Sequence, residues 1–121
     1  MPENRSSKLY NLEERTLKFS KRTREFVKRL SRTTGNIEDG KQLIKSSGSM
    51  GANYIEANEA LSKKDFVMRI KICRKESKES IYWLNLVDTG SDESLEKECR
   101  VLTQEAIELM KIFSSIMRKS E

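Results

Sequence analysis

The stretch Gln42-Leu43-Ile44-Lys45-Ser46-Ser47-Gly48-Ser49-Met50-Gly51-Ala52-Asn53-Tyr54-Ile55-Glu56-Ala57 decides the fold. Its apolar and small residues recur three and four apart, the spacing of a helix. Ser47, Gly48, Gly51 and Ala52 leave one side of that helix almost without bulk. Each glycine inside a helix costs about 1 kcal/mol relative to alanine. A helix tolerates that cost where another backbone must come close. The segment therefore predicts a helical bundle whose core or subunit contact depends on close helix approach.

Working outward, the same periodicity predicts three more helices and no strand. The first opens at Asn11, where Glu14 three residues later suggests a capping box, and carries Leu12, Thr16, Phe19, Thr23, Phe26 and Leu30 as one stripe. Ser31 to Asn36 breaks the pattern. The second is expected from Ile37 to Ala60, with Leu43, Ser47, Met50, Tyr54, Ala57 and Leu61 on one stripe. Ile44, Gly48, Gly51 and Ile55 lie beside it, and this wide face predicts the most buried helix. Ser62 with Asp65 marks the start of the third, whose face is Phe66, Ile70, Cys73, Ser77, Ser80, Leu84 and Val87. Thr89-Gly90-Ser91-Asp92 ends it and caps the fourth, which presents Leu95, Cys99, Leu102, Ala106, Leu109, Phe113 and Ile116. Three-four spacing with short connections predicts an all-α, antiparallel up-down-up-down four-helix bundle. One domain over residues 1–121 suits the length, with residues 1–10 as a flexible N-terminal arm.

Composition narrows the function. The 121 residues contain no histidine and two distant cysteines, Cys73 and Cys99, so a zinc site or histidine-based catalysis is not expected. Glu56, Glu76 and Glu79 read as ion-pair partners, because di-iron bundles need Glu-x-x-His pairs. Ser46, Ser47 and Ser49 have no base beside them, and Gly48 and Gly51 are not followed by the Lys-Ser/Thr of a phosphate loop. The chain is read as no enzyme and as needing no cofactor. No signal peptide is visible and no apolar run approaches the ~20 residues of a membrane span, so a cytoplasmic protein with reduced cysteines is expected.

The charge is uneven. Net charge is +5 and the pI about 9.3. The first helix holds Arg15, Lys18, Lys21, Arg22, Arg24, Lys28, Arg29 and Arg32 against Glu13, Glu14 and Glu25. The third is also basic, whereas the second and fourth are acidic. At 100° per residue, Lys21, Arg24, Lys28 and Arg32 lie opposite the apolar stripe, flanked by Lys18, Arg22 and Arg29. Lys64, Lys71, Lys75 and Lys78 fall in a fan of roughly 60° on the third helix, with Tyr82 on the same line. Such ridges repel themselves, and a polyanion relieves the repulsion with release of counterions. The contacts expected are to phosphate rather than base edges, from Lys18, Lys21, Arg22, Arg24, Lys28, Arg29, Lys71, Lys75 and Lys78. Tyr82 and Trp83 read either as the closure of the core or as a subunit anchor. With Leu17, Val67 and Met68 pointing off the stripes, they favour a homo-oligomer.

Gln42, Lys45-Ser46, Asn53, Ile55-Glu56-Ala57 and Ser62 with Asp65-Phe66, followed by Lys75-Glu76-Ser77-Lys78-Glu79-Ser80-Ile81-Tyr82-Trp83-Leu84, form a joint pattern. It resembles the small bacterial four-helix-bundle proteins found as reading frames within intervening sequences of large-subunit ribosomal RNA genes. Their usual signature is Gln, a basic residue plus Ser, Asn-Ile-x-Glu-Gly/Ala and Ser-x-x-[Asp/Glu]-Phe. Here Tyr54 precedes Ile55, and Lys45 stands for a common arginine. The resemblance implies a ring-like homopentamer with a basic surface. It makes Asn53, Glu56, Glu76 and Glu79 structural polar contacts within or between subunits, beside Gly48, Gly51, Tyr82 and Trp83, which the helix pattern already marks as oligomer or structural contacts. A more distant similarity is to the accessory variability protein of diversity-generating retroelements, which binds nucleic acid and a reverse transcriptase. The leading expectation is a non-enzymatic oligomer that binds RNA or an RNA–DNA hybrid, with no membrane partner. The alternative is a protein-interaction scaffold or accessory subunit of a reverse transcriptase.

Overall fold

The computed structural model describes residues 11–121, and the expected N-terminal arm lies outside them. Four helices account for nearly all of the described chain: α1 (Leu12–Arg29), α2 (Thr34–Asn58), α3 (Lys63–Leu86) and α4 (Glu93–Ser120). No strand occurs among the described residues.

Local chemistry sets the ends. Asn11 stands at the start of α1, but its side chain makes no capping bond, which corrects the expected capping box; its carbonyl instead accepts from Arg15 N at 2.8 Å. α2 begins three residues before the expected Ile37, because Thr33 is extended and its hydroxyl accepts the Asn36 amide at 3.1 Å. Ser62 accepts from Asp65 N at 3.0 Å and Asp92 from Leu95 N at 3.1 Å, so both anticipated caps form. Gly90 and Ser91 both take φ of +66°, which turns the chain from α3 into α4.

Each helix lies beside the next, and α4 returns to α1; the α1 and α3 backbones stay apart, as do those of α2 and α4, which meet only through core side chains such as Tyr54 and Phe113, ring centroids 5.9 Å apart. The helices therefore occupy four corners, with α1 diagonal to α3. The core between them holds Leu12, Phe26, Leu43, Met50, Ile70, Leu84, Leu102, Leu109 and Phe113. All six stripe residues of α1 are buried, and α2 has the most buried positions. Leu61 is 101% exposed, since α2 ends at Asn58 and cannot carry the stripe that far. On α4, Met117 rather than Ile116 completes the core, and Cys99 is only half-buried.

Close approach takes two forms. Between α1 and α2 it rests on glycine: a Cβ on Gly51 would lie 2.9 Å from Thr16 Oγ1, and one on Gly40 would lie 2.8 Å from Val27 Cγ1. Gly48 departs from the expectation, because a Cβ there would meet Ser20 Oγ at an ordinary 3.8 Å. Ala52 is exposed. Between α2 and α3, the closest pair, small polar residues do the same work. The Ser46 and Ser80 hydroxyls share a hydrogen bond of 2.8 Å, and Cys73 Sγ donates to Met50 O at 3.4 Å.

Candidate nucleic-acid interface

The outer face of α1 is built by its own core stripe. With Thr16, Phe19, Thr23 and Phe26 turned inward, Lys18, Lys21, Arg24 and Lys28 are left exposed. Lys18, Lys21 and Arg24 enter no ion pair among the described residues, and Lys28 pairs only with Glu25 on its own helix at 3.1 Å. An exposed pair of that kind contributes about 0.3–0.5 kcal/mol and yields easily to a stronger anion.

Arg22 and Arg29 stand differently. Arg22 turns to α4, where Nε and Nη2 donate to the two Glu98 oxygens at 2.6 and 2.8 Å. Arg15 makes the same fork with Glu105, at 2.7 and 2.8 Å, and adds Glu108 at 3.1 Å. Arg29 Nη2 donates to Ser94 Oγ at 2.8 Å. The hydrogen bonds that Arg15 and Arg22 donate to Glu105 and Glu98 raise their pKa values above the usual guanidinium value. A carboxylate bound two-pronged largely cancels its arginine's charge at short range. The free ridge of α1 is thus narrower than composition suggests. Spacing held a signal: Arg15, Arg22 and Arg29 are seven apart, as are Glu98 and Glu105, so each set keeps to one face of its helix.

α1 and α4 touch least, and a cleft of about 470 Å³ opens between them, lined by Arg15, Lys18, Phe19, Arg22, Leu102 and Glu105.

On α3, Lys71, Lys75 and Lys78 are all exposed. Lys71 and Lys78 have no ion-pair partner among the described residues, and Lys75 Nζ reaches Glu76 only at 4.0 Å. Because α1 and α3 are diagonal, the two basic faces lie on opposite corners, not side by side.

The polar residues of the sequence pattern gather elsewhere. Arg69 of α3 donates to Asn53 Oδ1 at 3.1 Å and stands 3.9 Å from Glu56. Asn53 also donates to Ser49 O and Oγ. Glu76 is seven residues beyond Arg69, on the same side of α3, and its side chain is 15% exposed. Glu79 is exposed. Trp83 is half-buried against the core, and Tyr82 meets it nearly edge-on, ring centroids 5.0 Å apart. Asn53, Glu56 and Arg69 thus knit α2 to α3. Asn36 was missed: read as part of a polar break, it is buried, donates to Ser31 O and Asp88 O, and accepts from Asp88 N, joining the two loops at one end of the bundle.

A family model described as the 23S rRNA-intervening sequence protein matches residues 12–115, all four helices but the last turn of α4. The chain belongs to this family. Within the solved structures, the intervening-sequence chain is similar to a protein of unknown function from the S23 ribosomal protein family of Bacteroides thetaiotaomicron. The two are 28% identical with a TM-score of 0.76, over 87% of this chain and 96% of the other. No curated protein matches. Among the described residues no helix is long and apolar enough to cross a membrane.

Proposed function

We propose that this intervening-sequence protein is a non-enzymatic, oligomeric, cytoplasmic nucleic-acid-binding protein that holds phosphates on the outer faces of α1 and α3. The observation that carries the reading is the division of the cations. Arg15 and Arg22 are spent on α4 carboxylates, while Lys18, Lys21, Arg24, Lys71 and Lys78 stand exposed without acidic partners among the described residues. Lysines kept in solvent on two helices are suited to phosphate neutralisation and carry no sequence preference. The favoured ligand is RNA or an RNA–DNA hybrid.

The up-down-up-down course is supported by the order of side-chain pairs. Arg15, Arg22 and Arg29 ascend α1 as Glu105, Glu98 and Ser94 descend α4, and Ser46 and Asn53 ascend α2 as Ser80 and Arg69 descend α3. Self-association is supported by Leu17 and Ile55, 54% and 47% exposed, with Met68 and Leu86 also exposed. A ring of copies, the homopentamer that the family resemblance implies, would bring basic faces on opposite corners of each copy into one array. The reverse-transcriptase alternative finds no support in the comparisons.

Light scattering with and without RNA over a salt series tests both parts. The expected result is a mass several times 14.1 kDa, with RNA bound at low salt and released as salt rises. A 14.1 kDa particle contradicts the oligomer, and absence of RNA binding at every salt contradicts the ligand.

A further inference from the structure

Tyr82 is the one aromatic ring that the described residues leave mostly in solvent, at 59% exposure. It stands at the end of the α3 cation line. Lys78 is four residues before it, Lys75 seven and Lys71 eleven, so all four lie within a fan of about 60°. At 1.5 Å per residue the line from Lys71 to Tyr82 is about 16 Å long, the reach of about five stacked nucleotides at ~3.4 Å each. The ring is not a loose side chain. Its neighbour Trp83 packs half-buried against the core and meets it at 79°, an edge-to-face contact that supports Tyr82 while leaving ring surface to the solvent.

Building on the phosphate-binding reading above, we infer that α3 is a platform for unpaired nucleic acid, with Lys71, Lys75 and Lys78 along the backbone and one base stacked on Tyr82. A lysine row alone takes duplex and single strand alike. An exposed, propped aromatic at its end adds a term only for a base free to leave its own stack, since every base has a π-face and stacking is tolerant of sequence. Glu79, exposed beside the line, opposes the phosphates and limits affinity. Phenol and indole lie close enough that a base on Tyr82 alters the surroundings of Trp83, the chain's single tryptophan.

Fluorescence anisotropy with a labelled single-stranded RNA of about 20 nucleotides, free and annealed to its complement, tests this. Tyr82→Ala is expected to weaken single-strand binding about tenfold and to leave duplex binding unchanged. Tyr82→Phe keeps the affinity, Glu79→Gln tightens both probes, and Trp83 emission changes with the single strand alone. Single-strand binding unmoved by Tyr82→Ala, yet abolished by Lys75→Glu with Lys78→Glu, overturns the platform and leaves the phosphate reading intact. Failure of the unaltered protein to bind either probe overturns both. Loss of the oligomer in Tyr82→Ala, seen by light scattering, overturns the platform by making Tyr82 a subunit contact.

Discussion

Gly51 of α2 faces Thr16 of α1 so closely that one added methyl group would lie 2.9 Å from the Thr16 hydroxyl and 3.2 Å from its Cβ. Thr16 cannot easily yield. It is buried, branched at Cβ, and its hydroxyl donates to Leu12 O at 2.7 Å. Gly51→Ala is therefore expected to destabilise the chain by about 1–3 kcal/mol, outweighing the helix propensity of alanine. Gly48→Ala has room and is expected to stabilise by up to ~1 kcal/mol. Urea unfolding of the two variants checks the contrast, and equal effects contradict it.

Thr23 Oγ1 is buried with no hydrogen-bond partner. Valine has the same shape without the orphaned hydroxyl. Thr23→Val is expected to raise stability by about 1–2 kcal/mol, and a lower thermal midpoint contradicts this.

Asn36 holds three loop backbone groups at 2.9–3.0 Å, two on Asp88 and one on Ser31. Asn36→Ala removes these bonds and leaves their partners short of protein contacts. The expected loss is about 2–3 kcal/mol, with faster amide exchange at residues 31–33 and 88–90. Exchange raised evenly over all four helices, with no local change, contradicts the tether.

Burial pushes the Cys73 thiol up to about 12 from an ordinary 9.0. In the unfolded chain the thiol loses its proton near 9, whereas the folded chain keeps it until about 12. The folded state binds more protons between these values, so stability falls as pH rises through that window, by up to about 1.4 kcal/mol per unit, and the term is constant below it. Urea unfolding at rising pH checks the slope against Cys73→Ala, in which this part of the decline disappears. An identical decline in both chains contradicts it. Cys99 is also raised by burial, but is half-exposed and is expected to react with a thiol-reactive dye before Cys73 does.

Much of this was legible in the residues. The stripe Leu12, Thr16, Phe19, Thr23, Phe26 and Leu30 is buried throughout, because a period of 3.6 fixes which side of a helix is apolar. What periodicity leaves open is which neighbour stands on which flank. Gly48 and Gly51 look alike in sequence, yet only Gly51 meets α1 tightly. Arg22 and Lys21 are adjacent, yet one forks onto Glu98 and the other faces solvent, since their flanks differ by 100°. Leu61 keeps the rhythm of α2 after the helix itself has stopped. Two basic helices were visible from composition; their diagonal placement depended on the order in which four helices close.

Charge reversal of the exposed α1 cations tests the phosphate reading most directly. Lys21→Glu, Arg24→Glu and Lys28→Glu together leave the core and the Arg15 and Arg22 pairs untouched. RNA affinity measured over a salt series is expected to fall steeply with salt in the unaltered chain. In the triple variant the salt slope should shrink by about one unit per lost phosphate contact, with helicity retained. Undiminished affinity and an unchanged slope in a folded triple variant would contradict it.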